Sequence, residues 1–232
     1  MSTFITLPVE FVYRILDHLQ DLHLFCSMQN VSHRFNQILN TYYRYQILTI
    51  LDTKNKIIKV QEAKQLANAL RVNKVITIQS STFLTFTLTT LNLANNQIGD
   101  QGAQYLADAL IVNTTLITIN LYYNQIRGDG AQYLADALKV NTALVTLNLD
   151  VNKIGDQGAQ CLANALQVNT TLSTLELRWT EIGDQGAQYL VDALKENKTL
   201  IALDLRWTKI GDQGAQYLTD ISRINTNCHI EY

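Results

Sequence analysis

LNLANNQIGDQGAQYLADAL, beginning at Leu91, decides the fold because the chain repeats it. INLYYNQIRGDGAQYLADAL follows from Ile119, LNLDVNKIGDQGAQCLANAL from Leu147, LELRWTEIGDQGAQYLVDAL from Leu175 and LDLRWTKIGDQGAQYLTDIS from Leu203, each 28 residues after the last. All ten glycines of the 232-residue chain lie in these five units, two in each. A fixed period of this length marks stacked supersecondary units. Leu88, Leu91 and Leu93 share one face of a short strand, with Thr90, Asn92 and Ala94 on the other. Ala103, Leu106, Ala107 and Leu110 follow at helical spacing, an inward helix face whose alanines permit close approach to the strand. Between strand and helix, Asn96, repeated as Asn124 and Asn152, can satisfy backbone groups in a buried turn; Thr180 and Thr208 replace it as weaker substitutes. Asp100, Asp156, Asp184 and Asp212 are expected to cap their own helices, which leaves the helix with Gly128 in that place the least well capped. Asn113, Asn141, Asn169 and Asn197 are expected to close the helices in left-handed geometry. No unit buries its leucines alone, so the pattern predicts an α/β solenoid with a curved parallel sheet inside and helices outside.

The LxxLxLxxNxI pattern and the full helix in each unit resemble the ribonuclease-inhibitor type of leucine-rich repeat, shared by NOD-like receptor sensor domains and Ran GTPase-activating proteins. The resemblance covers residues 88–227. It implies the architecture and a protein-binding role without naming a target, because this scaffold serves unrelated binding tasks. Five repeats and a partial terminal strand thus occupy residues 88–232. Further back, AKQLANALRVN from Ala63 matches AQYLADALIVN from Ala103 at an offset of 40. Residues 48–87 therefore read as a degenerate first unit plus an insertion around residues 76–87, either an additional strand turn or a bulged-out loop.

Before Leu48 the repeat vanishes. Pro8 followed by Glu10 is a helix-start signal. Phe11, Ile15, Leu16 and Leu19 make one apolar stripe, Leu22, Leu24, Phe25 and Met28 a second, and Val31, Phe35, Ile38 and Leu39 a third. The Leu7-Pro8-x-Glu10 start and the Val31-Ser32-x-Arg34-Phe35 end resemble the F-box, a three-helix unit that docks on the Skp-type adaptor of cullin-RING ubiquitin ligases. The resemblance implies that residues 1–47 form such a unit and that Leu7, Pro8, Phe11, Ile15 and Leu16 meet the adaptor. Phe35 stands where that family usually has Trp. The alternative is a purely structural role for these helices, closing the open end of the solenoid.

Charged residues are only 16% of the chain and the net charge is −2, a balance that does not suit nucleic acid. Residues 48–87 are basic, with Lys54, Lys56, Lys59, Lys64, Arg71 and Lys74, which read as a solvated face. Residues 88–232 carry nine basic and fifteen acidic residues. No apolar run reaches the roughly 18 residues of a membrane span. Three cysteines without paired spacing and a start unlike a signal peptide suit a chain of the cytoplasm or nucleus. Neither a metal-ligand spacing, a cofactor fingerprint nor a catalytic constellation is present, so a non-enzymatic protein without cofactors is expected.

The units differ mainly at the outward strand positions and the residue after them. These read Asn92, Ala94, Asn95; Asn120, Tyr122, Tyr123; Asn148, Asp150, Val151; Glu176, Arg178, Trp179; and Asp204, Arg206, Trp207. Both tryptophans fall in this set. Exposed Trp, Tyr and Arg are the composition of interface hot spots. Tyr122, Tyr123, Asp150, Glu176, Arg178, Trp179, Asp204, Arg206 and Trp207 are therefore the candidate partner site on the concave face, with the two tryptophans expected side by side. Two functions fit: a ubiquitin-ligase substrate receptor joining a Skp-type adaptor to an unknown protein target, or a free-standing interaction module with a helical cap.

Overall fold

The computed structural model describes residues 50–72 and 88–232. The F-box-like stretch, with Leu7, Pro8, Phe11, Ile15 and Leu16, and the insertion at residues 76–87 lie outside the described residues. Strand and helix alternate: β1 (Ile50–Asp52), α1 (Val60–Val72), β2 (Thr90–Asn92), α2 (Gly99–Leu110), β3 (Thr118–Asn120), α3 (Gly128–Leu138), β4 (Thr146–Asn148), α4 (Gly155–Leu166), β5 (Thr174–Glu176), α5 (Asp184–Glu196), β6 (Ala202–Asp204), α6 (Asp212–Ile224) and β7 (His229–Glu231). The seven strands form one sheet in sequence order, every pair parallel. Leu51, Leu91, Ile119, Leu147, Leu175 and Leu203 stand in register, all buried, with Ile230 next in line and partly buried. Behind them Leu106, Leu134, Leu162, Leu190 and Leu218 of successive helices complete a single continuous core. A slip of one residue would turn every strand leucine outward, so burial fixes this register.

Two asparagine ladders stitch the units. On the strand side, Asn152 Nδ2 donates to the carbonyls of Leu121, Leu149 and Asp150, and its Oδ1 accepts from the N–H groups of Asn124 and Ile126. Thr180 and Thr208 each donate one hydroxyl bond within their own unit, to the carbonyls of Leu177 and Leu205, so the weaker substitution is real. The second ladder departs from expectation. Asn113, Asn141, Asn169 and Asn197 are not left-handed; Asn197 has φ −69° and ψ 124°. Their work is across units. Asn141 Nδ2 reaches the Leu110 carbonyl of the previous helix at 2.7 Å, while Oδ1 accepts from the N–H groups of Ala143 and Leu144. Asn225 makes the same backward bond to Leu194, but the segment to β7 is one residue shorter and its buried Oδ1 has no partner.

The aspartates also act across units. Asp100 caps not its own helix but the next: its Oδ1 accepts from Arg127 N–H at 2.6 Å and Gly130 N–H at 3.2 Å, at the start of α3. Asp156 caps α5 through Gly183 and Gly186, and Asp184 caps α6 through Gly211 and Gly214. The helix with Gly128 in the aspartate place is therefore well capped, and the one that follows, α4, lacks the cap. The backbone answers. Where the aspartate is present, Arg127, Gly183 and Gly211 are extended (φ −112°, −105° and −95°). Where it is missing, Gly99 and Gly155 turn to φ +60° and +61° and donate instead to the carbonyls of Asn124 and Thr180. Glycine takes that conformation without strain and arginine does not, so Arg127 is tolerated because the Asp100 cap keeps its backbone extended. A Cβ on Gly130 would lie 2.6 Å from Asp100 Oδ1, so the cap demands the second glycine of its unit.

Candidate partner-binding groove

The variable residues separate into two rows. The first lies on the open face of the sheet and is a chain of alternating charges. Asp150, expected to face outward to solvent, is 0% exposed. It accepts from the backbone N–H and the Nε of Arg178, both at 2.7 Å. Arg178 Nε also lies 3.5 Å from Asp204, Asp204 pairs with Arg206 at 2.6 Å, and Arg206 reaches Glu231 at 2.8 Å. The two arginines do occupy neighbouring rungs, but Asp204 stands between them, so the like-charge cost is removed rather than merely eased. Hydrogen bonding to Asp150 raises the Arg178 pKa further and keeps it charged. Burial, with Asp150 nearby, pushes Glu176 above the ordinary carboxylate value of 4.5, against the pull of Arg178 and the Asn148 amide that donates to it. Its raised folded value means that this site adds stability below about pH 4.5 and loses it as pH rises through the folded pKa. Burial also pushes Asp204 up, but its bonds from Arg206 win and hold it below the usual range. This side-chain network holds rungs together and leaves the arginines spoken for.

The second row sits at the edge of the sheet where the chain leaves each strand. Tyr123, Val151, Trp179 and Trp207 have φ of 52°, 55°, 56° and 57°. The same place in the first two units holds Asn55 and Asn95, residues that accept left-handed backbone readily. The N–H groups of the first three continue the ladder to the next unit: Tyr123 to Asp150, Val151 to Arg178 and Trp179 to Arg206. The left-handed turn then swings the side chain outward. Trp179 and Trp207 are 57% and 56% exposed and stack on each other, ring centroids 5.7 Å apart and planes 19° apart. Arg206 lies over the Trp207 ring at 5.3 Å. Tyr122 and Tyr123 form a second, tilted aromatic pair with centroids 6.3 Å apart.

This row is the floor of an open groove of about 650 Å³. Its outer wall is Gln125, Arg127, Lys153, Glu181 and Lys209. Sequence comparison between units singled out the tryptophans but missed this wall, because Gln, Lys and Glu two places further on look like ordinary surface. The one signal was Arg127, which breaks the glycine pattern. Tyr122, Asp150, Glu176, Arg178, Asp204 and Arg206 do not line the groove. They lie on the adjoining sheet face. Among the described residues no group of three or more His, Cys, Asp or Glu could hold a metal ion.

Comparisons with known proteins bear on the fold. No curated protein matches the sequence. Among solved structures, the chain is similar to the leiomodin-1 domain called actin-binding site 2, with 22% identity and a TM-score of 0.51 over 72% of this chain and 87% of that one. It is also similar to the C-terminal domain of tropomodulin from Caenorhabditis elegans, with 15% identity and a TM-score of 0.56 over 72% of this chain and 93% of that one. Both likenesses are of fold. A family model described as leucine-rich repeat matches residues 86–107, 112–135, 140–163, 168–191 and 196–218. With just over half of its residues in those five matches and one parallel rung per unit, the chain belongs to the leucine-rich repeat family.

Proposed function

We propose that this protein is a non-catalytic protein-binding scaffold whose partner seats on the tryptophan groove and the adjoining sheet face, and that residues 1–47 dock it on a Skp-type adaptor as the substrate receptor of a cullin-RING ubiquitin ligase in the cytoplasm or nucleus. The observation that carries the binding reading is the stacked Trp179–Trp207 pair, more than half exposed on a left-handed backbone. Left-handed backbone at bulky residues costs about 1–2 kcal/mol each, and the stack still leaves more than half of each indole in water. Rigid aromatic anchors of this kind are what a partner buries. The ligase reading rests on the Leu7-Pro8 to Phe35 motif alone.

One experiment with two variants tests both halves. Trp179→Ala with Trp207→Ala should weaken capture of the native partner more than tenfold, about 1.4 kcal/mol or more, and leave adaptor co-purification unchanged. Leu7→Ala with Pro8→Ala should do the reverse. Unchanged partner capture by the tryptophan variant moves the site off this groove. A wild-type protein that fails to bind the adaptor at micromolar concentration ends the ligase reading and leaves the free-standing interaction module.

A further inference from the structure

Nine cationic side chains lie in residues 88–232. Lys139, Arg178, Lys195, Arg206, Lys209 and Arg223 each lie within hydrogen-bond or ion-pair reach of a carboxylate, from 2.5 to 3.5 Å. Lys198 donates to the Lys195 carbonyl at 2.8 Å. Arg127 and Lys153 remain: among the described residues neither side chain makes a hydrogen bond or an ion pair, although Lys153 adds at longer range to the hydrogen bond from Lys209 in lowering the Glu181 pKa. Both line the groove, and their backbones are bridged to each other as parallel neighbours. The groove's one carboxylate, Glu181, is already neutralised by Lys209 at 3.0 Å. An acidic repeat body thus pairs off nearly all of its positive charge and leaves two adjacent cations without an ion pair, both in the groove that holds the exposed tryptophans.

Resting on the binding role proposed for the groove, we infer that its ligand is an extended, acidic segment of a protein partner: Asp or Glu side chains meet Arg127 and Lys153, and an apolar or aromatic side chain packs on the Trp179–Trp207 stack. Complementary charge sets specificity and encounter rate at such a site. The rungs carrying Tyr123, Val151, Trp179 and Trp207 lie about 5 Å apart, so the floor runs about 15 Å, the reach of about five extended residues. The cations stand toward the Tyr123 and Val151 end and the indoles at the other, which places the acidic positions three or four residues from the apolar one. Phosphate is a poorer fit. The N–H groups of Arg127 and Gly130 at the start of α3 are already bonded to Asp100, so no backbone cradle is left for it. Nucleic acid is poorer still, since two bare cations on a body with fifteen acidic and nine basic residues cannot neutralise a phosphate backbone.

Both tryptophans of the chain lie in the groove, so intrinsic fluorescence of the full-length protein reports its occupancy directly. The probes are three tryptophan-free peptides on one backbone, with Phe as the apolar residue and Glu, Gln or Lys at the charged positions, and oligothymidylate as a fourth. The Glu peptide should shift the emission saturably and bind at least tenfold tighter than the Gln peptide. Raising salt from about 50 to about 500 mM should weaken it several-fold, because exposed ion pairs are screened. Arg127→Gln with Lys153→Gln should remove that salt dependence, and Arg127→Glu with Lys153→Glu should exchange the preference to the Lys peptide. Circular dichroism of each variant confirms folding; the backbone bond from residue 127 to Asp100 survives either change. Equal or tighter binding of the Gln or Lys peptide overturns the acidic class while the groove remains a binding site. Oligothymidylate displacing the Glu peptide overturns a protein ligand. No response to any peptide also overturns the inference, and capture of the native partner by wild type but not by the tryptophan variant then shows that the groove reading survives it.

Discussion

The units up to Asn152 and the two that follow hold together by different chemistry. In the earlier part, Asn96, Asn124 and Asn152 reach into the previous unit through buried amides. Asn55 and Asn95 occupy the left-handed position, where their side chains bond to each other. In the later part the Thr180 and Thr208 side chains make only local bonds, and tryptophan stands in the left-handed row. Cohesion there comes from the Asp150–Arg178–Asp204–Arg206–Glu231 chain and the indole stack. On the strand side, one backbone plan is thus joined by buried amides in one half and by an ion-pair chain and ring stacking in the other, while the helix-side asparagine ladder runs through both. The groove spans both halves: the later one supplies its exposed tryptophans, and the earlier one Tyr123, Arg127 and Lys153.

Three measurements by chemical denaturation can break or sharpen this contrast. The largest effect is expected from Asn152→Ala, which strands two N–H groups and three carbonyls in the core and should cost about 3 kcal/mol or more. Thr180→Ala loses one bond and should cost about 1 kcal/mol. Equal costs would mean that the two halves are held alike. Next, Asp100→Ala should cost about 2 kcal/mol and Asp156→Ala about 1 kcal/mol. Without its aspartate the loop must take the φ near +60° seen at Gly99 and Gly155, which Gly183 does freely and Arg127 does not. Adding Arg127→Gly to Asp100→Ala should recover the difference; no recovery would separate the cap from the loop conformation. The smallest effect is a gain. Val151→Asn installs the residue of the first two units at a left-handed position and should stabilise the fold by about 1 kcal/mol. A loss there would show that the left-handed row is not strained and would weaken the case for the groove.

Much of this could be read from the chain. The 28-residue spacing of leucines and alanines gave the solenoid, the parallel register and the buried helix face, and the differences between units pointed to Trp179 and Trp207. Charge partners and caps were not legible in the same way. Asp150 reads as an outward residue by alternation, yet Arg178, 28 residues later, folds over it and buries it. Asp100 stands at the start of its own helix like an ordinary cap, yet the N–H groups it serves lie 27 and 30 residues further on. Asn141 ends a helix as a left-handed residue would, yet it is there to hold the preceding helix's last carbonyl, at Leu110, and that of Asn113 just beyond it.

What the sequence determined by itself was therefore everything set by short-range periodicity: which residues form strands and helices, which faces turn inward, and in what register the strands pair. A leucine pattern needs no partner identity to specify burial, because the hydrophobic effect is non-directional. What only the tertiary structure decided was every directional bond between units, together with the groove those bonds shape. A hydrogen bond or ion pair needs a donor and an acceptor within about 3 Å at a suitable angle. In a repeat array nearly identical candidates stand in the same unit and in the next. Their competition is settled only when the rungs are stacked about 5 Å apart, which is how Arg127 and Lys153 come to be left without an ion pair in the groove that holds two exposed tryptophans.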